Sequence, residues 1–165
     1  NIAKMLMSSP DEAWKMLNDM QADYVVVFVS GQRLGVDNDG QALYVLQGGG
    51  DESKKQWFIR IAEEPLTDFL ESDGMSGNDH FWNETLLGKM FPFTPLAYVN
   101  FQTNQQSATY QPGFTPVYVK DIKYPSDSNG PLRLVHASPS FDIGKGQPMI
   151  GVFIYQVNKD YVPTN

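Results

Sequence analysis

Tyr24-Val25-Val26-Val27-Phe28-Val29 is an unbroken apolar run, and the fold follows from how it is read. A half-exposed strand would alternate apolar with polar residues, so the run predicts a strand buried on both faces. Upstream, Ser9-Pro10-Asp11-Glu12 is a strong helix start, with Ser9 as cap, Pro10 in the first turn and Glu12 completing a capping box. Ala13, Trp14, Leu17 and Met20 then supply an apolar face to about Gln21. Downstream, residues 31–40 read as a loop. Its Asp37-Asn38-Asp39-Gly40 resembles the opening of a calcium loop, but the remaining ligand positions and the closing Glu do not follow, so a turn is expected. Residues 42–47 are expected to form a short strand.

Three glycines, Gly48 to Gly50, lead into Asp51-Glu52-Ser53-Lys54-Lys55-Gln56-Trp57-Phe58-Ile59-Arg60-Ile61, which Glu63-Glu64-Pro65 closes. The pattern is helical. Asp51 suits the helix N-terminus, where a carboxylate meets the positive end of the dipole, and Pro65 sets an end near Glu64. Trp57, Phe58 and Ile61 share one arc at about 100° per residue. Lys54 lies inside that arc, with Asp51 one turn before it at ion-pair spacing. An ammonium in an apolar stripe can snorkel to water past its own stem. Strand, glycines and helix are also the layout of a phosphate-binding loop. That chemistry needs Gly-Lys-Ser/Thr, whereas this loop delivers two carboxylates that repel phosphate.

Residues 66–77 are acidic and turn-rich, with one helical turn expected at residues 67–70. A second helix is expected over residues 79–90, with Phe81, Trp82, Leu86 and Met90 apolar. It holds Asn83-Glu84-Thr85, a glycosylation sequon in form but a poor acceptor on a helix. Pro92 and Pro95 begin a different texture. Strands are expected at residues 96–102, 117–124, 132–137 and 149–157, between Pro/Gly/Asn/Ser turns, with a polar loop over residues 102–113. The expected fold class is α+β, with a helical first half around a buried central strand and a β-rich antiparallel second half. Residues 1–95 and 96–165 would pack on the same core.

At 165 residues and 41% hydrophobic content, the chain can bury the core of one domain. It does not begin with Met, so a processed or excised piece is expected. No run reaches the roughly 18–20 apolar residues of a membrane helix, and no signal peptide is visible. A net charge of −7 disfavours nucleic acid and anionic lipid as partners. From Ile61 to Glu84 there are seven acids and no Lys or Arg, which reads as a solvated loop face, with a divalent-cation site as the minority reading. Zero cysteines excludes disulfides, thiol nucleophiles and thiolate metal sites together. His80 and His136 are the only histidines, without His-x-x-x-His spacing. Gly74-Met75-Ser76-Gly77 misses the Gly-x-Ser-x-Gly elbow by one position. A self-sufficient catalytic centre is therefore not expected.

The helical stretch carries a family resemblance. Asp51-x-x-Lys54-x-x-x-Phe58, followed by Ile59-Arg60-Ile61, resembles the DxxKxxxM motif of oligosaccharyltransferase catalytic subunits, with Phe58 at the Met position. The segment from Ala13-Trp14 to Asp23-Tyr24-Val25-Val26-Val27 is similar to the family's helix–turn–strand. Residues 117–124, 132–138 and 151–155 are similar to stretches of archaeal members. The likeness touches roughly residues 10–64 and 114–157. It implies a membrane enzyme that moves a lipid-linked glycan onto asparagine in Asn-x-Ser/Thr sequons, with this soluble piece on the extracytoplasmic face.

In that family the motif lies on a kinked helix and helps build the pocket for the sequon's Ser/Thr. The resemblance therefore implies Asp51, Lys54 and Phe58 as acceptor-binding residues. Catalytic acids and the ligands of Mn2+ or Mg2+ belong to the family's membrane portion, so no catalytic residue or metal is expected here. Its Trp-Trp-Asp-Tyr-Gly signature, upstream of the Ser9 helix, is absent. The implied partners are a sequon-bearing polypeptide and, through the membrane portion, the lipid-linked donor. A different class remains open on composition: a non-enzymatic β-rich module binding glycan or peptide through an aromatic content of 13%.

Overall fold

The computed structural model describes residues 2–47, 54–100, 102–109, 111, 113–138 and 148–164. It opens with a helix not anticipated from the sequence, α1 (Ile2–Met7), whose Met5, Leu6 and Met7 are buried. Helix α2 (Pro10–Asp19) starts as expected: the Glu12 N–H donates to Ser9 Oγ at 3.4 Å, and the Ser9 hydroxyl donates back to the Glu12 carboxylate at 3.3 Å. Ala13 and Leu17 are buried and Trp14 packs on the core, whereas Met20 is exposed beyond the helix end.

The apolar run begins β1 (Tyr24–Val36), which extends through Gly31 and Gly35, where a loop was expected. It pairs on one side with β2 (Ala42–Gln47), whose bounds match the sequence reading. At Gly31 a side chain would sit 2.7 Å from the Val45 carbonyl oxygen, so glycine here permits close pairing of strands. The intervening turn is built by Asp37, whose carboxylate accepts from the Asp39 and Gln41 N–H groups at 2.9 and 2.8 Å.

Four short helices follow. These are α3 (Lys54–Ala62), α4 (Leu66–Phe69), α5 (Asp79–Glu84) and α6 (Leu86–Met90). The single helix expected over residues 79–90 is broken at Thr85, whose backbone is extended. Its hydroxyl donates to the Phe81 carbonyl at 2.7 Å and accepts from the Gly88 N–H at 2.9 Å. The side chain thus ends one helix and caps the next. The remaining strands are β3 (Phe93–Asn100), β4 (Gln105–Ser107), β5 (Thr115–Lys120), β6 (Leu132–Ala137) and β7 (Pro148–Val157). Strand β4 lies in the expected polar loop. Pro95 is accommodated in β3 beside a register shift between Pro95 and Ala97.

All seven strands form one sheet in the order β4-β3-β5-β2-β1-β7-β6, with every described pairing antiparallel. The fold is α+β. β1 and β2 from the first half sit between β5 and β7 from the second, so both halves share one sheet. The helices pack on the face that carries Val27, Val29, Tyr44, Phe93, Phe153 and Tyr155. Tyr155 seals the two layers: its hydroxyl donates to the Met90 carbonyl at 2.5 Å.

The expectation that β1 is buried on both faces is corrected. Val27 and Val29 point into the core, while Tyr24, Val26 and Phe28 are exposed on the other side. Strand side chains alternate between faces, and the described helices cover only one of them.

Candidate functional site

Helix α3 carries the motif. Asp51 lies outside the described residues, as does the side chain of Lys54. The backbone of Lys54 begins α3, one helical turn before Phe58. The helix ends at Glu63, whose φ is 64°, where the Glu63 and Glu64 N–H groups return to the Arg60 and Ile59 carbonyls at 3.1 and 3.2 Å. Such a left-handed terminal residue closes a helix by satisfying its last carbonyls.

The expected apolar arc of α3 meets the core only in part. Ile59 is fully buried and Ala62 nearly so, whereas Trp57 is 46% exposed and Phe58 and Ile61 are only partly covered. Trp57 and Ile59 are about 200° apart on a helix, so both cannot face inward. Burial of Ile59 against the core turns Trp57 toward the surface, while Phe58 and Ile61 stay partly buried against the core. There the Trp57 and Phe58 rings adjoin at 5.3 Å, inclined by 54°. The result is a partly open aromatic pair on α3.

The opposite flank of α3 is tied to the loop after α4. Gln56 Nε2 donates to the Gly74 carbonyl at 2.6 Å. Asp73 organises that loop, accepting from the Met75 and Ser76 N–H groups, each at 2.8 Å, and from the Ser76 hydroxyl at 2.6 Å. Burial works against the Asp73 charge, but these hydrogen bonds and the Lys55 charge outweigh it and hold its pKa below the ordinary carboxylate value. Burial pulls the Lys55 pKa down, and Asp73 opposes that shift.

Lys55, Gln56 and Asp73 were not singled out from sequence. The available signal was Asp73-Gly74-x-Ser76, a turn-forming pattern, with Gly74 at a φ of 68°. Ser76 is buried and its hydroxyl is committed to Asp73, so it is not arranged as a nucleophile.

Elsewhere, His80 and His136 are exposed, with His80 against the Phe69 ring at 5.0 Å. Among the described residues no three His, Asp or Glu side chains gather as metal ligands, and no helix is long and apolar enough to cross a membrane. The acids of residues 63–84 are mostly exposed and dispersed. Comparison with protein-family models, curated proteins and solved structures finds no match for this chain.

Proposed function

We propose that this domain recognises the acceptor polypeptide in an oligosaccharyltransferase, binding the Ser/Thr of an Asn-x-Ser/Thr sequon at the exposed face of α3. One observation supports this reading: Phe58, at the position of the family's Met, is only partly buried and lies against the half-exposed Trp57 ring. A helix whose aromatic pair served only packing would turn Trp57 inward as well. Phe58 would present an apolar wall to the threonine methyl, with Lys54 and Asp51 supporting the polar side. Glycan transfer, with its lipid-linked donor and Mn2+ or Mg2+, would belong to a membrane portion, and no step is assigned to a metal held by this chain.

A glycan-binding module has less support. Of the second-half tyrosines that could supply sugar platforms, Tyr118, Tyr124 and Tyr155 are buried in the core, while Tyr98 and Tyr161 are only partly covered.

The test is steady-state kinetics of the membrane enzyme containing this chain, on matched Asn-x-Thr and Asn-x-Ser peptides. Burying one methyl group is worth about 0.8 kcal/mol, or roughly a fourfold preference for threonine. Phe58→Ala should compress that ratio toward one, and Phe58→Met should keep it because a flexible thioether refills the gap. An unchanged ratio in a folded Phe58→Ala enzyme would overturn the assignment.

A further inference from the structure

The face of the sheet that the described helices leave uncovered is apolar at its centre. Register places Val26 beside Ile154 and Phe28 beside Val152, with Tyr24 and Ile150 at opposite ends of the same two-strand ladder. Phe28 is 53% exposed and Ile150 69% exposed. The alternating residues of β7, Met149, Phe153 and Tyr155, are buried on the helix side, which fixes Ile150, Val152 and Ile154 as outward. These six side chains leave on the order of 500 Å² open, with aromatic side chains counting for 150–250 Å² each when fully buried. Patches of that size mark interaction sites. A strand apolar on both faces also has the composition of one covered on both.

We propose that this face is the contact surface for a second copy of the chain, two sheets stacking face to face around a twofold axis. Three observations select this occupant. The first is width. Val135 on β6, at the register shift between Leu134 and His136, is exposed beside the ladder, so the apolar band reaches a third strand. At about 4.8 Å per strand this exceeds the roughly 10 Å footprint of one helix, whereas a second sheet covers it at the ordinary stacking distance. The second is charge. From Tyr24 to Gln32 on β1 and from Ile150 to Gln156 on β7, no outward position is Asp, Glu, Lys or Arg; Arg133, opposite Gln156 on β6, lies at the edge of this face, so the centre of the patch can pack on its own copy without burying a like charge.

The third is area. Two such patches with their rim of Ser30, Gln32, Gln156 and His136 approach about 1,200 Å², the lower bound of specific interfaces. The Asp23–Lys159 ion pair, 3.8 Å long, lies at the Tyr24 end and would sit in the polar rim.

The test is sedimentation equilibrium of the chain from low to high micromolar concentration, with Phe28→Lys and Ile150→Lys alongside and thermal melts to show that each variant folds. Both substitutions are on the open face and should leave the fold intact. The wild type should shift from one chain mass to two, and either substitution should weaken association at least about tenfold. Independently, isotope-filtered NOEs on a mixed-label sample should connect the Phe28 or Tyr24 ring of one copy with Ile150 or Ile154 methyls of the other. A chain that stays single at every concentration would overturn the assignment. So would a dimer that survives both substitutions, or one whose intermolecular NOEs fall elsewhere.

Discussion

Trp57 and Ile59 sit two residues apart on α3 and point in opposite directions, one 46% exposed and the other fully buried. Ile59→Ala should therefore cost the full price of a core truncation, about 2–5 kcal/mol. Phe58→Ala should cost less, because its ring is already partly open. Trp57→Ala should be milder still. Chemical denaturation of the three variants checks this order; a larger loss for Trp57→Ala than for Ile59→Ala would contradict the orientation of the helix.

Lys123 donates from Nζ to the Phe91 and Phe93 carbonyls at 2.9 and 2.5 Å and lies 5.6 Å from the centroid of the Trp82 ring. Burial pulls its pKa down to about 8, with nearby Lys89 adding to the fall and Asp121 opposing it. The unfolded chain retains the ordinary value of 10.5. Between these values the unfolded state binds more protons, so stability rises with pH from about 8 to about 10. Above that, Tyr118, Tyr124 and Tyr155, whose pKa values are raised chiefly by burial, reverse the trend. Lys123→Met should abolish the rise. Unfolding free energies at several pH values across this interval test it, and parallel slopes in wild type and variant would refute it.

Asp11 holds the end of the chain. Its carboxylate accepts from the Tyr161 hydroxyl, from Thr164 Oγ1 at 2.8 Å and from the Thr164 N–H at 3.2 Å. Trp14 meets Tyr161 edge-on at 5.7 Å. The hydrogen bond from Tyr161, then that from the Thr164 hydroxyl, lowers the Asp11 pKa. This contribution is present above the ordinary carboxylate range and is lost as pH falls through the depressed value. Asp11→Ala should cost about 1 kcal/mol, the carboxylate being close to solvent. It should also raise hydrogen exchange in residues 158–164 selectively; unchanged exchange there would show that the contact is not holding the tail.

Asn83-Glu84-Thr85 should remain unglycosylated in the folded protein, because Thr85 commits its hydroxyl to the Phe81 carbonyl and the Gly88 N–H. Thr85→Val should destabilise by about 1–3 kcal/mol through the groups left unpaired. Gly88→Ala should also destabilise, since a Cβ there would lie 2.0 Å from the Phe81 carbonyl oxygen. Mass spectrometry of protein exposed to glycosylation after folding, together with melting curves, tests both statements; occupancy at Asn83 would contradict the first.

Local chemistry made several elements legible. The Ser9 cap, the Asp37 turn and the bounds of β2 and β6 follow from residues close in sequence, since caps, turns and strand periodicity are short-range effects. The α+β class follows from the same signals. The helical stretch bearing Lys54 and Phe58 was legible too, through breakers at both ends. By contrast, α1 was hidden in a run with few cap signals, and the break at Thr85 depended on a hydroxyl bonding across two helices.

What only tertiary structure decided is orientation. Periodicity showed that α3 has an apolar arc but not which residues meet the core. That choice came from packing against α1 and from the Gln56–Gly74 bond, 18 positions apart. The uniform apolar run of β1 determined a strand, yet the described chain covers only one of its faces. Pairing of β2 with β5 and of β1 with β7 joins residues far apart in sequence, where no local pattern records the partner. Sequence alone thus determined those elements and the helix that bears Lys54 and Phe58, because these depend on neighbouring residues. Which faces remain open depends on long-range contacts, and those exist only once the sheet has closed around its core.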